Sequence, residues 1–165
     1  MGLDTYVDVT FKRNGKQVEL PVIYMRKCYS MAQGLSDILC WGDFDATLEN
    51  ELTTAEDIIP RLEDLRDAYQ NEIDILCSAP IGEIPDGIFD SVWPLPNYIH
   101  ILHRCLYKVN ITLLFFKGHI GFFDLTDCLG MDEEFVTETL GIDSDEQYDL
   151  GVKDFEYELS FCNSY

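Results

Sequence analysis

Positive charge is what this chain has least of. Its 165 residues hold 11 lysines and arginines against 31 aspartates and glutamates, a formal net charge of −20. Proteins that grip nucleic acid or an anionic membrane by charge carry a basic patch, and a deficit this large excludes that footprint as a general binding mode. Long apolar runs are also missing: the most apolar stretch, 99–116, is interrupted by His100, His103, Arg104, Lys108 and Asn110. The opening MGLDTYVDVTF has neither the basic start nor the apolar run of an export signal, so a cytoplasmic location is expected. No G-x-S-x-G, H-E-x-x-H, P-loop or G-x-G-x-x-G motif occurs. Nor does a C-x-x-C pair: Cys28, Cys40, Cys77, Cys105, Cys128 and Cys162 lie far apart, and in a chain without an export signal they read as buried free thiols.

What is present suits a packed core. Hydrophobic residues make up 47% and aromatics 13%, and a chain of this length buries roughly 70% of its unfolded surface, enough for one domain over 1–165. No internal repeat or low-complexity tract interrupts it.

Residues 5–12 and 17–24 alternate apolar and polar side chains around Asn14-Gly15, the turn pair of a β-hairpin. Pro21 demotes part of the second strand to an edge or a bulge. A helix is expected over 26–40, and WGDFDATLENEL, 41–52, reads as an acidic loop. Thr53-Thr54-Ala55-Glu56 fits a capping box opening a helix, with a kink or restart at Pro60. Ile58, Leu62, Leu65, Tyr69, Ile73 and Leu76 then form an apolar stripe at helical spacing. Asn97 is placed to cap a helix running to 109 or on to 116, and two short helices follow, 125–129 and 132–140, separated at Gly130. DFEYELSF, 154–161, alternates strictly and is expected to join the hairpin in an antiparallel sheet. The fold class is therefore α+β: a small antiparallel sheet, made of the N-terminal β-hairpin and the C-terminal strand, packed by several helices.

The charge is unevenly spread. Residues 37–90 hold fifteen acids against two bases, and residues 124–165 hold thirteen acids against one, while 91–123 contain no acid and three bases. On DFEYELSF the polar face is a row of carboxylates, Asp154, Glu156 and Glu158, with no base between them. Glu63 and Asp67 repeat the pattern at i,i+4 on a helix, a mildly unfavourable pair of about 0.2–0.5 kcal/mol. A small domain needs a net charge of only about 2–8 for solubility. One explanation of the excess is solvation alone. The sharper one is that rows of carboxylates imitate the phosphate backbone that a basic groove is tuned to hold. The candidate partner-binding residues are Asp43, Asp45, Glu49 and Glu51 in the loop, and Glu63, Asp64 and Asp67 on the helix. At the C-terminal end they are Asp132, Glu133, Glu134, Asp154, Glu156 and Glu158. LTDCLGMDEEFVTETLG has the length of a helix-turn-helix, but a recognition helix carrying Asp132, Glu133, Glu134 and Glu138 has the wrong sign for DNA.

Enzymatic readings rest on less. His100-x-x-His103 near Cys105 lacks an acid within 91–123 to complete a metal site, so no metal or other cofactor and no catalytic residue is assigned. A carboxylate site for a divalent ion needs few protein ligands and stays open as an alternative, that of a small hydrolase or nucleotide-modifying enzyme. An immunity protein for a basic nuclease toxin and a phage structural protein are further alternatives.

The opening Met1-Gly2-Leu3-Asp4-x-Tyr6, and Tyr24-x-Arg26-Lys27 ahead of a helix, resemble a set of bacteriophage and prophage proteins. Those proteins begin MGLD-x-Y and carry a Y-W-R-K segment, an acidic leucine-rich helix and a G-F-F-like strand. Met25 stands where they have tryptophan, and GIFDS at 87–91 echoes the last element, so the resemblance covers about the first 90 residues. It implies a phage or mobile-element origin and no particular reaction. Arg26 and Lys27 read as solvated bases at a strand-to-helix junction, with a functional role as the other possibility. The expectation that follows is a non-enzymatic inhibitor of the anti-defence class, anti-CRISPR or anti-restriction, that binds the basic nucleic-acid-binding surface of a host protein. It would touch neither nucleic acid nor membrane directly, and a dimer is possible.

Overall fold

Asn14 and Gly15 take positive φ, 52° and 76°, as the central pair of a two-residue hairpin turn must if the strands are to keep their right-handed twist. They join β1 (Asp4–Arg13) to β2 (Lys16–Arg26). The computed structural model describes residues 2–80, 83–84, 92–146 and 149–165; GIFDS at 87–91 lies outside them. Pro21 sits opposite Asp8 at the point where the β1–β2 register shifts, and β2 is an edge strand, so proline occupies the one kind of sheet position that tolerates its missing N–H.

Further along the chain come α1 (Tyr29–Leu39), β3 (Leu48–Leu52), α2 (Ala55–Ser78), α3 (Leu95–Phe116), α4 (Phe122–Cys128), α5 (Glu133–Leu140), a 3₁₀ turn at Val152–Asp154 and β4 (Glu156–Ser164). The sheet is antiparallel in the order β2-β1-β4-β3, and the fold is α+β. β4 pairs with β1 along its whole length, from Asp4 opposite Ser164 to Lys12 opposite Glu156.

One face of the sheet carries the core. Val7, Val9 and Phe11 on β1 line up with Phe161, Leu159 and Tyr157 on β4, all buried. The Phe11 ring meets Phe115, Phe122, Phe155 and Tyr157 at centroid separations of 5.0–5.4 Å, which ties the C-terminal end of α3, the start of α4 and both strands to one aromatic cluster. The Phe155 and Tyr157 pairs are edge-to-face, and such pairs contribute about 0.5–1.5 kcal/mol each beyond their buried area. The α2 stripe Ile58, Leu62, Leu65, Tyr69, Ile73 and Leu76 is buried, as its spacing requires. The other sheet face carries Tyr6, Asp8, Lys12, Glu156, Glu158 and Ser160, all at least partly exposed, with Thr10 buried among them.

Several expectations are corrected. The 41–52 segment is not all loop: Leu48–Leu52 form β3, because Leu48 and Leu52 reach the core side of β4 while Glu49 and Glu51 stay in water. The cap of α2 is Thr54, one residue later than the capping box suggested; its hydroxyl accepts the Asp57 N–H at 3.2 Å. Pro60 neither ends nor restarts α2, which runs through it. α3 begins at Leu95 rather than at a cap on Asn97, with Pro94 as its N-cap. All six cysteines are free, but Cys77 is exposed on α2 and only Cys28, Cys40 and Cys105 are buried.

Candidate functional site

Three of the acidic segments meet at the β3 edge of the sheet. A cleft of about 330 Å³ between α1, β3 and α2 is lined by Asp37, Glu51 and Asp64, with Arg61 and the Trp41 ring at its border. Its shape comes from the end of α1. Gln33 donates from Nε2 to Asp37 Oδ1 at 3.0 Å and to the Gly42 carbonyl at 3.2 Å, closing the turn that follows the helix. Within that turn Trp41 is held at φ 55° and is 94% exposed. Both features are unfavourable: an L-residue in the left-handed region costs roughly 1–2 kcal/mol, and the ring gives up its burial.

The loop acids divide between local and outward tasks. Asp43 Oδ1 accepts the Asp45 N–H at 3.0 Å, so this carboxylate serves its own turn, while Asp45 points to water. Glu49 and Glu51 are exposed on an edge strand, where charge also blocks unwanted strand pairing. Between them Asn50 sits at φ 60° and donates its N–H to Glu158 Oε1 at 2.9 Å, bringing β4's carboxylate next to the β3 acids.

The other predicted acids are mostly engaged. Glu63 lies 3.9 Å from Arg66 and 3.4 Å from Lys117, Asp67 lies 3.0 Å from Arg66, and Asp64 lies 3.7 Å from Arg61. These are exposed pairs worth little individually, but they make the α2 face less negative than its sequence suggests. The row on DFEYELSF is shortened to Glu156 and Glu158 on the outer face of β4. Asp154 precedes β4 and accepts the Gly151 N–H at 2.7 Å, and Glu158 faces Lys12 at 3.3 Å, leaving Glu156 as the exposed carboxylate. The compensating lysine was invisible along the strand because it comes from the neighbouring one. Asp132 caps α5 by accepting the Glu134 N–H at 3.2 Å, with Glu133 and Glu134 in the first turn where the helix dipole favours them. α5 packs against β2, the opposite edge of the sheet from β3, so Asp132, Glu133 and Glu134 are not part of the cleft.

Buried titratable groups form a separate network. Glu72 on α2 is 8% exposed and accepts the Tyr98 O–H at 2.7 Å; Tyr98 and Ser30 are linked at 3.0 Å. Burial pushes the Glu72 carboxyl up to about 7, partly offset by the Tyr98 hydrogen bond. Asp8, half-buried on the outer sheet face, is pushed up to about 6 by burial and by Glu19. A raised carboxyl in a cleft is a candidate general acid, but Glu72 is buried and its carboxyl is engaged by Tyr98. Among the described residues no group of three His, Cys, Asp or Glu side chains converges as metal ligands would. His100 borders a cleft and His103 is simply exposed. Among the described residues no helix is long and apolar enough to cross a membrane.

Asp37 and Trp41 were not among the residues singled out by sequence. Trp41-Gly42 directly after an apolar helical stretch was the available signal, since a glycine just past a helix marks the turn that ends it. Comparison of the chain with protein-family models, curated proteins and solved structures finds no match.

Proposed function

We propose that the chain is a non-enzymatic inhibitor that sets its α1–β3–α2 edge against the basic, nucleic-acid-binding surface of another protein. The observation that carries this reading is Trp41: a large ring almost fully in water, on strained backbone, at the border of a cleft holding Asp37, Glu51 and Asp64. Strain of this kind clusters at functional sites, and tryptophan is among the residues enriched at binding hot spots. The carboxylates supply steering toward a positive partner, and the ring supplies the desolvated contact that steering alone lacks. The likeness to phage and prophage proteins directs the search to host defence proteins of the restriction and CRISPR type. Capture of a cytoplasmic nuclease or other nucleic-acid-binding protein from host lysate tests it, with washes at about 50 mM and about 300 mM salt, either side of the ~8 Å physiological screening length. DNA or RNA added at low salt is expected to release the captured protein; capture indifferent to nucleic acid would overturn the reading.

A further inference from the structure

The opposite charge is concentrated elsewhere. Between the C-terminal end of β2 and the first turns of α3 lies a cleft of about 520 Å³, bordered by Tyr24, Arg26, Trp93, Asn97, His100 and Arg104. That volume falls within the range of roughly 300–1,000 Å³ typical of small-molecule sites. In a chain where acids outnumber bases 31 to 11, no acidic side chain among the described residues lines the cleft, and among them neither arginine is in an ion pair. By contrast Lys12, Arg13, Arg61, Arg66 and Lys117 are all paired with carboxylates. A smaller adjoining hollow, bordered by Tyr24, Arg104 and Lys108, extends the positive surface along α3.

The aromatic walls are held in place before any ligand arrives. The Trp93 indole N–H donates to the Arg26 carbonyl at 2.8 Å, joining the segment before α3 to the end of β2. The Tyr24 ring packs against Tyr6, tilted by 36° with centroids 5.3 Å apart, and its hydroxyl donates to Asp4 at 3.4 Å. Two fixed rings offer flat apolar surface, two guanidiniums offer forked donors suited to a phosphate, and the Asn97 amide offers both a donor and an acceptor at the rim.

We infer that this cleft binds a mononucleotide, its base against the Trp93 and Tyr24 rings and its phosphate held by Arg26, His100 and Arg104. The free nucleotide is favoured over a nucleic-acid strand by the charge of the whole molecule. A net −20 repels a long polyanion over its full length, whereas a single phosphate meets only the local positive field. This site shares no residue with the acidic edge, so either reading can fail without the other.

The test uses the Trp41→Phe protein, in which Trp93 is the remaining tryptophan and its fluorescence reports on the cleft. Adenosine, guanosine, cytidine and uridine 5′-monophosphates are titrated, alongside adenosine, inorganic phosphate and an oligodeoxyadenylate of about ten nucleotides. At least one monophosphate is expected to give a saturable change with a Kd of about 1 mM or tighter. Arg104→Gln is expected to weaken it at least about tenfold, as loss of a charge-assisted contact should, with the thermal melt unchanged. Arg26→Gln should do the same; if it fails to fold, Arg104→Gln, on an exposed helical position, decides. No saturable change with any of the four, or an unaltered Kd in Arg104→Gln, overturns the assignment. Adenosine binding as tightly as its monophosphate removes the phosphate from it. The oligonucleotide binding more tightly than the mononucleotides transfers the cleft to the end of a strand and overturns the free-nucleotide reading.

Discussion

Trp41 and Glu72 both stand in unfavourable surroundings, for different reasons. Trp41 contributes little to the fold, being 94% exposed on left-handed backbone. Trp41→Gly should therefore raise stability by about 1 kcal/mol in urea unfolding, by relieving the positive φ, while lowering partner capture. A loss of more than about 1 kcal/mol would show the ring to be structural after all. Glu72 is a buried acid that keeps its proton up to about pH 7, against an ordinary value of 4.5. Between those values the folded state binds more protons than the unfolded chain, so its contribution is complete below about pH 4.5 and is lost as pH rises through about 7. Asp8, pushed up to about 6 from 3.8, acts with the same sign over a lower window. Stability should fall by on the order of 2–3 kcal/mol between pH 5 and 8 through Glu72, and Glu72→Gln should flatten that part of the profile in denaturant titrations. A wild-type profile that rises from pH 5 to 8 would contradict the burial argument.

Single elements show which carboxylates serve the chain itself. Asp132 closes the first turn of α5, so Asp132→Ala should cost about 1 kcal/mol without touching the acidic edge. At the other end of that helix, Gly141 takes φ 63° with the Lys16 ammonium 2.7 Å from where a Cβ would stand, so the helix ends there and sets its C-terminal dipole beside a cation. The hairpin, the α2 stripe and the two short helices near the C-terminus were legible in sequence because Asn14-Gly15, a 3–4 spacing and Gly130 encode local geometry. β3 was not. Leu48-Glu49-Asn50-Glu51-Leu52 has two apolar residues, and what makes it a strand is the β4 edge beside it. The Lys12–Glu158 and Lys117–Glu63 pairs were hidden for the same reason, since each joins residues far apart in sequence. So was the basic cleft, although the acid-free stretch 91–123 marked one of its walls.

At the scale of the whole molecule the charge acts on the fold and on binding together. A net −20 repels itself, so the melting temperature should rise with added monovalent salt, as screening lowers that repulsion. A melting temperature that falls between about 50 mM and about 300 mM would mean that pairs such as Arg13–Glu146, joined by two contacts of 3.1 Å, outweigh the surplus. The acids are not one continuous surface. Those at the β3 edge gather around Trp41, and those of α5 lie beyond the far strand and help hold their own helix. Comparing the two ends of the sheet therefore separates a binding edge from acids that serve the fold. Three forms of the protein would be used to capture partners from bacterial host lysate at about 50 mM salt: wild type, an edge variant (Trp41→Ala, Asp37→Asn, Glu51→Gln, Asp64→Asn) and an α5 variant (Glu133→Gln, Glu134→Gln). Wild type and the α5 variant are expected to retain the same nucleic-acid-binding protein, released by DNA or RNA, and the edge variant to lose it. Equal capture by all three, loss only with the α5 variant, or no capture by wild type would rule out the β3 edge as the binding surface.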